Sequence, residues 1–310
     1  MTNREKYTRL CEQEILPLHA QAWWWEKASA GKEWDAVIIE DVAGHITAAM
    51  PYHLVRRWGM HAVLMPVHTQ YHSVYTAPDA PPDIYARLVQ AFGETCRKIH
   101  AGWIQLQGFY PAPLLDAFRA DGFTVTERVT YRVDAVPARE EMTALFSENK
   151  RRQLHKAVNL HAEDLTVDAF YRFHCKCMEA QGKRIDYSAS WAEAVLTEAV
   201  RRGQGRLMAA QDADGRTLAA MFLAWDNAQC YCLLPSYAPA FKNSGATAWL
   251  TAQALEEAHR KGLRFDFEGS MTPSIASSYK QFGGQPVTYH RIEKFLNPFL
   301  RAAVRLRQCL

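Results

Sequence analysis

The sequence predicts an α/β fold, a layered α+β arrangement in two tandem copies, each with a mixed central sheet flanked by helices. Three observations predict it. First, "DVAGHITAAM" (residues 41–50) nearly recurs as "DADGRTLAAM" (residues 212–221), and both read D-x-x-G-x-x-x-A-A-M. Second, other landmarks recur in the same order. Gly102 and Gly262 each end a helical pattern, Gly122 and Gly283 follow shorter ones, and "VTYRVD" is echoed by "VTYHRI". Third, both copies read β-β-β-α-β-α-β, and strands followed by alternating helices and strands point to a layered sheet.

The elements follow in order. "QAWWWEKA" and "SWAEAVLTEAVRRG" are helical lead-ins. "AVIIED" and "RLMAAQD" are short apolar strands, each ending in a turn whose Gly44 or Gly215 suits a positive φ. "HITAAMPYHLV" and "RTLAAMFLAW" return as hairpin partners, and "GMHAVLMP" and "AQCYCLLP" are third strands. Helices are expected over 83–100 and 246–261. In the second, Ala248, Leu250, Ala252, Ala254, Leu255 and Ala258 form a broad apolar stripe. "WIQLQ" and "RFDFE" are strands, followed by short helices over 114–120 and 275–281. "TYRVDA" and "TYHRIEKF" are last strands, each expected to close its own copy. The domains are therefore 1–137 and 138–310. A polar, helical, basic linker over 137–164, with Lys150, Arg151, Arg152, His155 and Lys156, starts the second.

The 310 residues are 48% hydrophobic and 22% charged, enough apolar material for two cores. A net charge of +3 is too small to mark a dedicated nucleic-acid binder. No apolar run approaches a membrane span, and the charged start is not a secretory signal, so a cytoplasmic location is expected. Seven scattered cysteines suit reduced thiols. "HCKC" (residues 174–177) lacks a second ligand pair, so no metal is expected and the motif reads as a packed helix.

The hairpin, third strand, small-residue loop, helix, strand and "YKQFG" resemble the GNAT acyltransferase fold. The doubling resembles its tandem branch, which includes the Fem-type (FemABX) peptidyltransferases and related N-acyltransferases. "NKRRQLHKA", "NSGATAWLTAQALEEAHRKG", "FDFEGS" and "YKQFGG" carry the resemblance, which spans almost the whole chain. It implies acyl transfer to an amine, with an acyl-CoA such as acetyl-CoA as donor, in a cleft between two domains. The alternatives are a Fem-like transferase that takes its acyl group from aminoacyl-tRNA and acts on a cell-wall precursor, or a metabolite-binding protein without turnover.

Acyl transfer needs a held donor, a polarised carbonyl, a base for the amine and an acid for the leaving group. Copy two offers each. "KNSGAT" (Lys242, Asn243, Ser244, Gly245, Ala246, Thr247) precedes its long helix, where backbone N–H groups suit phosphate. Copy one has "PDAPPD" there, with Pro81 and Pro82 lacking N–H groups. Only Gly245 is a glycine in the copy-two loop, fewer than most acyl-CoA users of this fold carry, which leaves room for another donor. Asp266 and Glu268 in "FDFEGS" are candidate bases at i and i+2 of a strand, Glu268 the preferred one, where copy one has Gln105 and Gln107. Tyr279, four residues before Gly283, is the candidate acid, and copy one has Phe118. The resemblance also implies backbone donors near Leu233 to Tyr237, where Pro235 interrupts a strand. Copy one's "PVHTQYHSVY", with His68, Gln70, Tyr71 and Tyr75, resembles a wall for the acceptor, to which Tyr237 would add. The first copy is expected to be a degenerate scaffold and the second the working one.

Overall fold

The repeated decamer folds into the same turn twice. Asp41 Oδ1 accepts the N–H groups of Ala43 (2.8 Å) and His45 (2.8 Å), and Asp212 Oδ1 accepts those of Asp214 (3.1 Å) and Arg216 (3.0 Å). Gly44 and Gly215 close these turns at φ 85° and 74°, where a side chain would be strained. The D-x-x-G signature is therefore a carboxylate-capped hairpin turn.

The computed structural model describes residues 1–157 and 159–308. The chain opens with α1 (Asn3–Gln13), α2 (Ala22–Ala28), β1 (Trp34–Glu40), β2 (Ile46–Arg57), β3 (Met60–Leu64) and β4 (Tyr75–Thr76). It continues through α3 (Ile84–Lys98), β5 (Ala101–Gly108), α4 (Ala112–Ala120), β6 (Thr124–Val133), α5 (Arg139–Leu145) and α6 (Glu148–Lys156). Then come β7 (His161–Asp164), α7 (Val167–Ala180), α8 (Ala189–Arg201), β8 (Gly205–Gln211), β9 (Thr217–Trp225) and β10 (Gln229–Tyr237). The last elements are α9 (Ala246–Arg260), β11 (Arg264–Asp266), α10 (Pro273–Lys280), β12 (Gln285–Phe295) and α11 (Pro298–Gln308). Two compact units result: one runs from Met1 to Arg128 and resumes at Thr288, and the other is Val129–Val287.

In the first unit the strand order is β1-β2-β3-β5-β12, with β4 on β2. Among its described strands, β3 and β5 run parallel and the other pairs antiparallel. Its core joins Val63, Ile104, Leu106 and Ile292 of the sheet to Leu88, Phe92, Leu114 and Phe118 of α3 and α4. The triple tryptophan lies on α2, with Trp24 and Trp25 fully buried.

In the second unit the order is β7-β8-β9-β10-β11-β6; β10 and β11 run parallel, and the other pairs among the described residues run antiparallel. All six stripe residues of α9 are buried, and four of the six are alanines, which lets the helix lie close to the sheet. Ser147, Thr166 and Ser188 cap α6, α7 and α8 through their hydroxyls.

The last strands change places. The sequence has "TYRVDA" and "TYHRIEKF" each closing the copy that contains it. The hydrogen-bond registers exchange them: β12 pairs with β5 through His290↔Gly108 to Phe295↔Trp103, and β6 pairs with β11 through Arg132↔Asp266 and Val133↔Phe265. Both registers put alternate apolar residues into a core, so hydrophobic pattern alone does not choose between them.

Candidate functional site

In the second unit the parallel strand pair is short, and its two strands stop pairing after Tyr231 and Asp266. β10 and β11 pair only through Gln229↔Arg264, Cys230↔Phe265 and Tyr231↔Asp266. β10 then continues to Tyr237, and its register on β9 breaks between Leu233 and Ser236, where Leu234 adopts φ 50°. Beyond β11, Glu268 takes φ 59°. Left-handed backbone at a non-glycine residue costs about 1–2 kcal/mol, so each of the two strands carries a strained residue just past their last pair. Pro235 lies within the bulge, where its missing N–H breaks no ladder bond. The first unit fills the matching place. His72 makes a parallel bridge to Gly108 of β5, and its N–H donates to Gln107 O at 2.6 Å.

Asp266 ends β11 fully buried and holds at least four donors. Oδ1 accepts the Thr130 hydroxyl (2.6 Å) and the Glu268 N–H (2.7 Å). Oδ2 accepts Arg132 Nε (2.7 Å) and Gln229 Nε2 (3.1 Å). A carboxylate so engaged anchors the strand end. The alternation expected of "RFDFE" stops at Asp266, because β11 is only three residues long. Glu268 therefore leaves the strand in a left-handed turn that Asp266 itself caps. Glu268 keeps some surface as a residue, yet its Oε1 is enclosed. Burial pushes its carboxyl well above the usual range, the Asp266 charge adds to this, and Arg132 opposes it. A carboxyl with raised proton affinity suits a general base.

Tyr279 lies near the end of α10, stacked on Phe267 at 4.6 Å between ring centroids. Among the described residues none hydrogen-bonds its hydroxyl. Burial raises its pKa, with Cys232, Glu268 and Asp266 adding to the shift, so the phenol stays protonated and able to donate. The Asp266 charge thus reaches both the base and the acid candidate.

The segment "NKRRQLHK" forms α6, which braces two of these parts. At its start, the Ser147 N–H donates to Gln281 O (2.9 Å) and Asn149 Nδ2 to Gln281 Oε1 (3.0 Å). Lys150, 9% exposed, donates to Ser278 Oγ (2.9 Å) and sits 4.5 Å above the Phe282 ring. Burial lowers its pKa. At its end α6 packs on the start of α9. A Cβ on Gly245, at φ 83°, would lie 2.1 Å from Gln153 O and 3.4 Å from Ala157 Cβ. Gly245 and Ala246 are buried there, and Ser244 Oγ accepts the Ala246 N–H at 3.2 Å. Lys242, Asn243 and Thr247 remain exposed. So do Arg151, Arg152, His155 and Lys156 on α6.

The other sequence candidates are dispersed. Leu233 is buried beside the bulge and Tyr237 is exposed past it. His68, Gln70, Tyr71 and Tyr75 belong to the first unit. There Gln70 Nε2 donates to the Tyr289 hydroxyl (2.9 Å), and Tyr71 is buried against Phe109 (4.9 Å) and Tyr289 (5.3 Å). Tyr75 donates to Glu14 Oε1 at 3.3 Å, and His68 adopts φ 52°. The copy-one counterparts are structural: Phe118 is fully buried, and Gln105 Nε2 donates to Glu293 Oε1 at 2.7 Å. Sequence reasoning passes over Thr130, Arg132 and Gln229 as Asp266's partners, and over Ser236. Thr130 and Arg132 are polar at i and i+2 of "VTYRVD", a one-faced pattern that marks them as partners for a buried charge.

Residues 128–281 match the acetyltransferase (GNAT) domain family. No curated protein sequence matches the chain. Among solved structures, FemX superposes with a TM-score of 0.73 at 11% identity, covering 98% of each chain. A tandem GNAT protein from the clavulanic acid biosynthesis pathway gives 0.58 at 14% identity, covering 95% of this chain and 94% of that one. L-PGS from Bacillus licheniformis gives 0.56 at 10% identity, covering 93% and 90%. Identities this low speak for fold, and the fold is the one the doubled turn and strand orders describe. The chain has the tandem GNAT/FemAB-like acyltransferase superfamily fold, with the acetyltransferase (GNAT) domain match in its second unit.

Proposed function

We propose that the second unit transfers an acyl group to an amine, and that the donor is an aminoacyl ester carried by tRNA, as in Fem-type transferases. The fold and the acetyltransferase (GNAT) domain match support the general chemistry. One observation carries the donor: α6 covers the start of α9, burying Gly245 and Ala246 where an acyl-CoA diphosphate would need exposed N–H groups. The exposed Arg151, Arg152, His155, Lys156 and Lys242 offer phosphate contacts to a polyanion instead.

Each residue has a task. The amine nitrogen attacks the ester carbonyl carbon and its proton passes to ionised Glu268. Backbone N–H groups at the Leu233–Ser236 bulge stabilise the oxyanion. The C–O bond to the ribose breaks, and Tyr279 protonates the departing oxygen. Tyr237, exposed at the end of β10, suits a contact with the acceptor, a small amine or a cell-wall precursor. Lys242, Asn243, Ser244 and Thr247 suit the donor's remaining phosphates.

Fluorescence anisotropy with labelled tRNA, at rising salt, tests the donor beside calorimetric titration with CoA and acetyl-CoA. The expected result is tRNA binding that weakens linearly in log salt, with no heat from millimolar CoA. CoA binding without tRNA binding would transfer the mechanism to a thioester, with Tyr279 protonating a thiolate. Neither ligand binding would remove both donors and leave a metabolite-binding protein.

A further inference from the structure

The motif "HCKC" finds a use that the catalytic assignments leave open. His174 lies on α7, which packs against β9 and β10. Its Nδ1 hydrogen-bonds Ser236 Oγ, and both side chains are buried. Ser236 is the first residue of β10 back in register with β9 after the bulge, opposite Ala220. Its hydroxyl donates to Leu234 O at 3.3 Å. With the hydroxyl proton directed at Leu234 O, the protonated Nδ1 tautomer of His174 is the one that donates the other bond. A chain of two bonds thus runs from α7 to the carbonyl of the left-handed residue.

The histidine ring is itself held. Phe170 stacks on it at 6.1 Å with planes 24° apart, and Tyr187 lies at 5.7 Å. A residue at φ 50° persists only where its surroundings over-determine it. Leu234 has no side-chain chemistry to do this, and Pro235 supplies no N–H. The His174–Ser236 pair supplies the constraint.

We propose that His174 and Ser236 are positioning residues that clamp the β10 bulge and so hold its backbone donors in place for the acyl carbonyl. This rests on the acyl-transfer role given to the bulge. Neither side chain touches the reacting atoms. Loss of the clamp should lower turnover while leaving donor affinity alone, because the donor's anchoring groups lie elsewhere.

The test uses Ser236→Ala, His174→Leu and His174→Asn, the last keeping a side-chain N–H donor. Amide hydrogen exchange on the full chain, without ligand, reads the clamp directly. Exchange across residues 233–236 should rise about tenfold or more in Ser236→Ala and His174→Leu, with α9 unchanged. His174→Asn should stay within about threefold of the parent in both exchange and turnover. With whichever donor the parent protein uses, the first two variants should lose about tenfold or more in kcat with KM within about twofold. Their double variant should be no worse than the worse single one, since one linkage is cut twice. Unchanged exchange in Ser236→Ala overturns the clamp, and so does a loss expressed in KM alone. A parent protein that binds neither tRNA nor CoA overturns the acyl-transfer reading instead, and the exchange result still decides the clamp.

Discussion

Replacing Asp266 by asparagine keeps the shape of the side chain and removes its charge. The four donors named above make the outcome calculable. Thr130 can rotate its hydroxyl and Gln229 can flip its amide to suit an NH₂ group. Arg132 Nε on one oxygen and the Glu268 N–H on the other are fixed donors. Whichever way the new amide turns, one fixed donor meets another. An unsatisfied buried donor costs about 1–3 kcal/mol, and a buried ion pair that loses one partner costs about 3–5 kcal/mol. Asparagine retains one acceptor, so a total of about 3 kcal/mol follows. For a unit of this size that lowers Tm by about 6–12 °C. Scanning calorimetry of parent and Asp266→Asn reads it, with Asp164→Asn as control, since Asp164 pairs with Arg206 from an exposed position. A shift for Asp266→Asn no larger than the control's would refute the anchoring role and return Asp266 to the candidate bases.

Glu268→Gln should lower kcat by about 100-fold or more. Glu268 binds its proton more tightly folded than unfolded, so the stability it contributes is complete below pH 4.5 and is lost as pH rises through its higher folded value. Melting curves of Glu268→Gln and parent should therefore coincide below pH 4.5 and separate in the variant's favour toward alkaline pH; parallel curves would contradict the raised pKa. Tyr279→Phe keeps the ring stack on Phe267, so it should melt near the parent while kcat falls about 10- to 100-fold. Because the phenol's pKa is raised, its ionisation should give no alkaline limb below pH 10 in the parent's rate profile. Gly245→Ala should cost more than Gly215→Ala in urea unfolding. Both meet a left-handed φ, worth about 1 kcal/mol or more, but only Gly245 also meets a carbonyl, while nothing lies within 4 Å at Gly215.

Local features are legible in the sequence because local forces make them. The two D-x-x-G turns need only residues four apart, and the alanine-rich stripe of α9 follows from helical spacing. Asp266 was harder because Thr130 and Arg132 are 136 and 134 positions away, and no short-range pattern says that an acidic strand end will meet them. The same distance problem hides the His174–Ser236 link, 62 positions apart. It also hides the role of α6, which reads as a solvated basic helix. Its exposed cations fit that reading, while Lys150 and Asn149 bond Ser278 and Gln281 and the Gln153 backbone carbonyl lies against Gly245. Glu268 and Tyr279 stand out as candidates in the sequence because their chemistry contrasts with Gln107 and Phe118 at matching places in the other copy.

The exchange of closing strands has a consequence for how the protein is made. β5 is synthesised early, yet its partner β12 lies more than 180 positions later in the chain, as Gln105 and Glu293, 188 apart, show. Until those residues leave the ribosome, one flank of the first sheet is an open ladder able to recruit stray strands from other chains. Cutting between residues 137 and 138 would give two pieces, each carrying near its C-terminal end a strand, β6 or β12, whose partner sits on the other piece. Such fragments should be insoluble apart and recover activity when refolded together.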